Sequence, residues 1–321
     1  MRSYMALGFI FILGINTSFA HDPALPVAFE HHSLEQISKH IYVAHGTQEL
    51  PSPQSRGFMN NPAAILTTHG VIIVDPGSSV EIGRQLLAKV RVITDNPVIA
   101  VFNTHVHGDH WLGNQGIREV YPDVPVYAHG RMIERVEAGE GKDWIKRFMD
   151  MTNGAVAGTR VVGPDIGLNG GEVLSMDGVT LKIYHTGHAH TDHDLMIEVV
   201  DDKGLFFGDI VSSGRVPNSD VPQDASFKGT ISAIKTMLNE DIDVYIPGHG
   251  RSGGREVPEA SLHFLEKLYA SVTRYFNEGL ESYEMKEKVI DDVEKYKEWS
   301  NFNEMGRVIN FVAAEVEREN F

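Results

Sequence analysis

The stretch Asn103-Thr104-His105-Val106-His107-Gly108-Asp109-His110 follows an apolar run in this chain of 321 residues. His105 and His107 alternate, so in an extended segment both side chains point to the same side. Gly108 then permits a sharp turn, after which Asp109 and His110 can point to a different position from that of the first two histidines. Imidazole and carboxylate groups together suit a zinc-type ion, so the stretch predicts a metal centre at the end of a strand.

Five motifs in a fixed order resemble the signature of the metallo-β-lactamase superfamily, and the quoted stretch is the second of them. The other four are Val71-Ile72-Ile73-Val74-Asp75-Pro76-Gly77, His190-Thr191, Gly208-Asp209 after an apolar strand, and Pro247-Gly248-His249-Gly250. The resemblance covers about residues 40 to 250. It implies an α/β fold, the four-layer αββα metallo-β-lactamase sandwich, followed here by a C-terminal helical extension.

The resemblance also implies a dinuclear centre with two Zn²⁺ ions per chain. The implied ligands are His105, His107 and His190 for one ion, Asp109, His110 and His249 for the other, and Asp209 between the two. Asp109 carries a catalytic role as well, and Asp75 is expected to orient a histidine from behind. A metal lowers the pKa of bound water from 15.7 to about 7, so hydroxide becomes available to attack a carbonyl or phosphoryl centre.

The identity of the third histidine ligand is open at this stage, because four histidines lie close together in sequence. They are His185, His188, His190 and His193. His190 fits the superfamily pattern best, since Asp192 and an apolar strand follow it. His188 follows a glycine and is the alternative; otherwise it is expected to line the pocket or to support a ligand.

The fourth motif bears on the substrate. In lactamases of the zinc-cysteine kind a cysteine stands at this motif, and a lysine three residues later binds the substrate carboxylate. Here Asp209 and Ser212 occupy these positions. Asp209 instead resembles the aspartate of glyoxalase II, lactonases and phosphodiesterases. Arg215 either replaces the missing lysine or is a surface arginine. We therefore expect hydrolysis of an ester, thioester or lactone-like bond in a small-molecule substrate.

Two other functions are compatible with the same motifs. One is a zinc β-lactamase. The other is a non-catalytic metal-binding protein, or an accessory protein of a sulfur or quinoprotein pathway. The exported type of the motif resembles the SoxH-like and quinoprotein-associated zinc hydrolases. Assays of ester and β-lactam hydrolysis would distinguish these functions from the expected ester hydrolase.

Charge and the N-terminus indicate the cellular setting. The formal net charge of −16 and a pI of about 5.4 argue against nucleic acid as a partner, because phosphate binding needs clustered basic residues. Arg2, the apolar run 5–15 and Ser18-Phe19-Ala20 predict a signal peptide over residues 1–20, with cleavage before His21. A periplasmic or secreted protein is expected, with no stable membrane insertion after cleavage. It has no cysteine, so stability rests on packing and metal.

Apolar periodicity predicts an alternation of strands and helices. Strands are predicted at residues 41–44, 63–68, 71–74, 97–102, 124–128, 173–174, 179–184, 195–199, 205–207 and 244–246, and helices at 80–92, 110–120, 227–238, 260–277, 284–297 and 304–319. Residues 21–256 form the predicted main domain. Residues 257–321 are a helical extension packed on it, through which a homodimer is possible. Residues 130–158 either form helices that line the site or are a surface insertion.

Overall fold

The computed structural model describes residues 28–217 and 225–320, so the predicted signal peptide and its cleavage point lie outside the described residues. The strands are β1 (Glu35–Gln36), β2 (Ile41–Val43), β3 (Ala63–Leu66), β4 (Val71–Val74), β5 (Val98–Phe102), β6 (Val126–His129), β7 (Ile166–Leu168), β8 (Val173–Met176), β9 (Val179–Tyr184), β10 (Met196–Val199), β11 (Gly204–Ser212) and β12 (Val244–His249). The helices are α1 (Val80–Ile93), α2 (Gly108–Trp111), α3 (Asn114–Arg118), α4 (Gly130–Glu137), α5 (Glu140–Met151), α6 (Phe227–Met237), α7 (Glu256–Asn277), α8 (Ser282–Asp292) and α9 (Met305–Asn320).

The first sheet contains β1 to β7 in chain order. Strands β1 to β4 form an antiparallel meander, and β4 to β7 run parallel with helical crossovers between them. All four residues of β4 are buried, as expected for a Val- and Ile-rich strand covered on both faces. Helix α1 begins after Ser79, whose hydroxyl accepts a hydrogen bond from the Ile82 N–H. It packs Leu86 and Leu87 against the outer face of this sheet.

The second sheet has the order β12-β11-β10-β9-β8, antiparallel except for the parallel pair β11 and β12. Its inner face packs on that of the first sheet. The shared core includes Ile41, Ile72, Phe102, Leu181, Ile183, Ile197, Phe206 and Ile246. Helices cover both outer faces, which gives the four layers αββα. The predicted fold class is thereby confirmed.

The C-terminal helices α7, α8 and α9 cover the outer face of the second sheet. Phe207 and Tyr245 from this sheet belong to one buried cluster with Phe264 of α7 and Val312 of α9. The apolar stripes of α7 and α9 are therefore used within the chain itself. The domain boundary after residue 256 and a homodimer through these helices stay predictions.

Several elements differ from the predicted pattern. The predicted helix 110–120 is divided into α2 and α3, because the Gly113 N–H donates to the Gly77 carbonyl at 2.7 Å and ties the break to the loop after β4. The edge strands β1 and β7 are too short to give a period in sequence. Residues 130–158 contain helices α4 and α5. Across the two described ranges, no helix is both long and apolar enough to cross a bilayer.

Candidate metal centre

The predicted metal-binding residues meet at one end of the sandwich, where strands of both sheets finish. Strand β5 leads into His105, β11 carries Asp209, and β12 ends at His249. His190 comes from the loop between β9 and β10. Residues far apart in sequence therefore reach one place because the ends of neighbouring strands are adjacent.

The side chains form two groups of possible ligands. The first contains His105, His107, His190 and Asp209, and the second contains Asp109, His110 and His249; within each group the ligand atoms lie within 4.8 Å of one another. Asp209 also reaches the second group: its Oδ1 is 3.2 Å from His110 Nε2, and its Oδ2 is 3.3 Å from His249 Nε2. The structure thus brings together all seven residues that the motifs implicate.

The polar atoms at the centre test whether a metal fits. His105 Nε2, His110 Nε2 and Asp209 Oδ1 are fully buried and make no hydrogen bond to any of the described residues. A buried polar atom without a partner costs about 1–3 kcal/mol, so such atoms need an explanation. Coordination to an ion supplies the missing partner. The donor set of imidazole nitrogens and carboxylate oxygens fits divalent ions of the zinc type.

The pKa shifts of two histidines and two carboxylates suit metal binding, whereas neighbouring carboxylates outweigh burial at His110 and His249 and raise the pKa of both. Burial, reinforced by the neighbouring histidines, lowers the pKa of His105 and of His107 well below the usual range. Neutral imidazole is the form that binds a metal. Burial alone raises the pKa of the Asp109 carboxyl, but the adjacent His110 outweighs it and lowers the pKa well below the usual range. Asp209 behaves likewise between His249 and His110. Both carboxylates therefore remain charged.

Two of the possible ligands, His110 and His249, are held in orientation by hydrogen bonds to their Nδ1 atoms. His110 Nδ1 lies 2.8 Å from Asp75 Oδ2, and the Asp75 carboxylate also accepts from the Thr104 N–H at 2.8 Å and its hydroxyl at 2.7 Å. His249 Nδ1 lies 2.9 Å from the Met59 carbonyl oxygen. Each contact holds the proton on Nδ1 and leaves Nε2 facing the centre. The sequence motifs predict the role of Asp75. They cannot predict the role of the Met59 carbonyl, because every residue type has a backbone carbonyl.

The structure separates the competing histidines. His190 is 6% exposed and its Nε2 lies 3.6 Å from Asp209 Oδ2. His188 is exposed and lines a different depression, beside Glu315 of α9. This placement does not support His188 as a ligand or as a wall of the site. The intervening Ala189 is buried in the core, so the chain sends its two neighbours to different sides.

A cleft of about 610 Å³, counting the part open to solvent, lies over the cluster. Its lining includes Leu50, Pro51, Met59, Trp144, Phe148, Met151, Ser212, Arg215 and Pro217 as well as possible metal ligands. Residues of α5 therefore line the site, and the Trp144 ring is centred 4.9 Å from that of His107.

Arg215 is only 3% exposed. The reading of Arg215 as a surface arginine is wrong, because its loop packs beneath the C-terminal segment.

Comparisons with known proteins agree with this architecture. A sequence model of the metallo-β-lactamase superfamily matches residues 56–249. The chain is 24% identical over 253 residues to a linear primary-alkylsulfatase of Pseudomonas sp., a match that covers 68% of this chain and 48% of that protein. It is also similar in structure to a double mutant of the sec-alkyl sulfatase PisA1, with a TM-score of 0.68, 19% identity, and coverage of 89% of this chain and 50% of that one.

A metallo-β-lactamase from Pontibacter korlensis is similar as well, with a TM-score of 0.57 and 20% identity over 73% of this chain and 99% of that one. At such identities, the structural likenesses show the fold alone. The chain spans about half the length of the alkylsulfatase relatives it matches. Because the sequence model covers more than half of the chain and contains the residues of both ligand groups, the protein belongs to the metallo-β-lactamase superfamily of metal-dependent hydrolases.

Proposed function

We propose that the protein is a dinuclear zinc hydrolase that cleaves an ester-type bond in a small-molecule substrate. Asp209 carries this proposal. Its carboxylate lies within 3.6 Å of His190 Nε2 in one ligand group and 3.3 Å of His249 Nε2 in the other, so it can hold two ions together. When bound, such ions polarise the scissile bond, activate water and balance the developing negative charge.

The side chains of the protein have distinct roles in this scheme. The two ligand groups hold the ions, and Asp75 fixes the ring of His110. Asp109 is charged and lines the cleft, so its carboxylate can also accept a proton on the substrate side. Trp144 and Phe148 form an apolar wall that excludes water from the reacting centre.

The cleft narrows the choice of ester. Its apolar wall suits a hydrocarbon chain, and the buried guanidinium of Arg215 suits an anionic group. The named activity of the Pseudomonas relative is that of a linear primary-alkylsulfatase. We therefore place a sulfate ester on an alkyl chain first among the candidates. Carboxylic esters, thioesters and lactones belong to the same proposed class.

A zinc β-lactamase is the second candidate. The Pontibacter lactamase supports it through the fold, and Arg215 could bind the carboxylate of a β-lactam. Against it, Asp209 and Ser212 occupy the positions of the cysteine and lysine found in lactamases of the zinc-cysteine kind.

A hydrolase panel combined with metal analysis tests the proposal. The zinc-loaded protein is assayed with dodecyl sulfate, a 4-nitrophenyl ester, a thioester, a lactone, a phosphodiester and nitrocefin. We expect close to two zinc ions per chain and turnover of an ester-type substrate. The turnover should be lost with chelator, restored by zinc and absent in His105→Ala. Two bound zinc ions without any hydrolysis would overturn the proposal and favour the metal-binding accessory protein. Turnover of nitrocefin alone would favour the β-lactamase.

We also propose export to the periplasm or the medium, on the basis of residues 1–20. N-terminal sequencing of the protein recovered from outside the cytoplasm should begin at His21. A soluble cytoplasmic protein that retains Met1 would contradict export.

A further inference from the structure

Residues 214–216, which include Arg215, are paired with Ser300 in the C-terminal segment 299–301. The Ser300 N–H donates to the Gly214 carbonyl at 3.1 Å, and the Val216 N–H donates to the Ser300 carbonyl at 2.9 Å. These two bonds lie on either side of Arg215, which forms a parallel bridge with Ser300. The backbone at Arg215 is therefore held from the C-terminal region.

The next residue, Asn301, holds the side chain of Arg215. With its amide oxygen turned to the guanidinium, Asn301 accepts from Arg215 Nε at 2.8 Å and from Nη2 at 3.3 Å. Two bonds to one edge of a planar guanidinium fix its plane as well as its position. Asn301 has a left-handed backbone, φ 63°, which asparagine adopts more readily than most residues.

The segment 299–301 is itself anchored on the second sheet. The ring of Trp299 is centred 5.2 Å from that of Phe264 on α7. Helix α7 also reaches the strand that bears Asp209, because the Ser261 hydroxyl donates to the Ser212 carbonyl at 3.0 Å. The family match ends at residue 249, so this anchor lies outside the part that the superfamily model covers.

We propose that Asn301 is a positioning residue that aims Arg215 into the cleft, where the guanidinium binds an anionic group attached to an apolar chain. The proposal rests on the proposed hydrolase function for its substrate. It assigns selection of anionic substrates to the C-terminal helical region, whereas the metal centre is built by the preceding part of the chain. Arg215 lines the cleft together with Asp209 and His249, so an anion held there lies beside the proposed ions.

The test measures binding of octanesulfonate and of neutral 1-octanol to the zinc-loaded protein by calorimetry. Asn301→Gly removes the amide and keeps a residue that tolerates the left-handed backbone. We expect its Kd for octanesulfonate to rise about tenfold, because the charged guanidinium loses both hydrogen bonds that fix its plane, with octanol binding unchanged. Arg215→Gln should show a similar loss, and adding Asn301→Gly to it should cost nothing more. The control Asn303→Ala removes an exposed asparagine of the same segment and should bind like the parent.

Thermal melting and zinc analysis show whether each variant is folded and loaded. If Asn301→Gly does not fold, Arg215→Lys tests the same contact by changing the other residue. Lysine keeps the positive charge but lacks the planar guanidinium that Asn301 holds. Its affinity for the sulfonate should fall about tenfold. Unchanged sulfonate binding in a folded variant would refute the inference. So would equal losses for octanol, or additive effects of the two substitutions. Failure of the hydrolase proposal looks different: the parent would hydrolyse no ester while its sulfonate binding still depended on Asn301.

Discussion

Replacing Asp209 with asparagine keeps the shape of the side chain and removes its negative charge. The Asp209 carboxylate lies 3.2 Å from His110 Nε2, 3.3 Å from His249 Nε2 and 3.6 Å from His190 Nε2, so both ligand groups lose this charge at once. Substitutions of residues that contact a metal ligand, but not the metal, typically lower metal affinity or activity about 10–100-fold. Replacing a residue of the metal centre itself should lower turnover at least about tenfold, which corresponds to about 1.4 kcal/mol.

The assay measures zinc content and ester turnover on the same purified sample of Asp209→Asn. We expect weaker binding of the second zinc ion together with the loss of turnover. Asp202→Asn is the matched control. Asp202 is also a carboxylate in contact with a histidine, His40, but it lies just before β11, at the end opposite Asp209. The control should lower stability and leave zinc content and turnover as in the parent.

Wild-type zinc content and wild-type turnover in Asp209→Asn would refute the bridging role. Asp209 would then be only a partly buried residue of strand β11. A loss of turnover with both zinc ions tightly bound would show that Asp209 acts on the substrate or on water without holding the ions together. Equal losses in Asp202→Asn would attribute the effect to general destabilisation.

Three further predictions follow from contacts around the site. In Gly248→Ala the new Cβ would lie 2.0 Å from Asp209 Oδ1, so zinc affinity should fall at least about tenfold, whereas Gly130→Ala has room for a methyl group and should bind zinc normally; equal affinities would contradict this. Asp75→Asn removes the carboxylate behind His110 and should weaken zinc binding about 10–100-fold in a competition titration, with the fold retained; unaltered affinity would show that Asp75 serves only the backbone. Burial lowers the pKa of His45 to about 4, so the folded protein binds fewer protons than the unfolded chain between pH 6.5 and 4, and about 3 kcal/mol of stability is lost as the pH falls through this range. Urea titrations of His45→Gln at equal zinc loading should show a flatter pH dependence there than the parent, and equal slopes would rule the explanation out.

Much of the fold can be predicted from local sequence because periodicity depends on which residues are adjacent. The Val- and Ile-rich run of β4 and the helical spacing of α1 are examples, and both elements occur where the pattern places them. The short edge strands β1 and β7 cannot be predicted in this way, since two or three residues are too few to show a periodic pattern. The break between α2 and α3 cannot be predicted either, because it depends on a contact with the distant Gly77.

The sequence by itself determined the superfamily and pointed to the possible ligands that stand close together, since one strand end and one turn can direct His105 and His107 to the same side. Only the tertiary structure shows that His190 lies in the cluster and His188 outside it, because both follow the same strand and differ only in which side of the folded loop they reach. The same holds for Arg215. Its burial and its contact with Asn301 depend on how α7 and the residues after α8 pack on the second sheet. Arg215 and Asn301 are 86 positions apart, and no local pattern of residue types indicates a contact over such a separation.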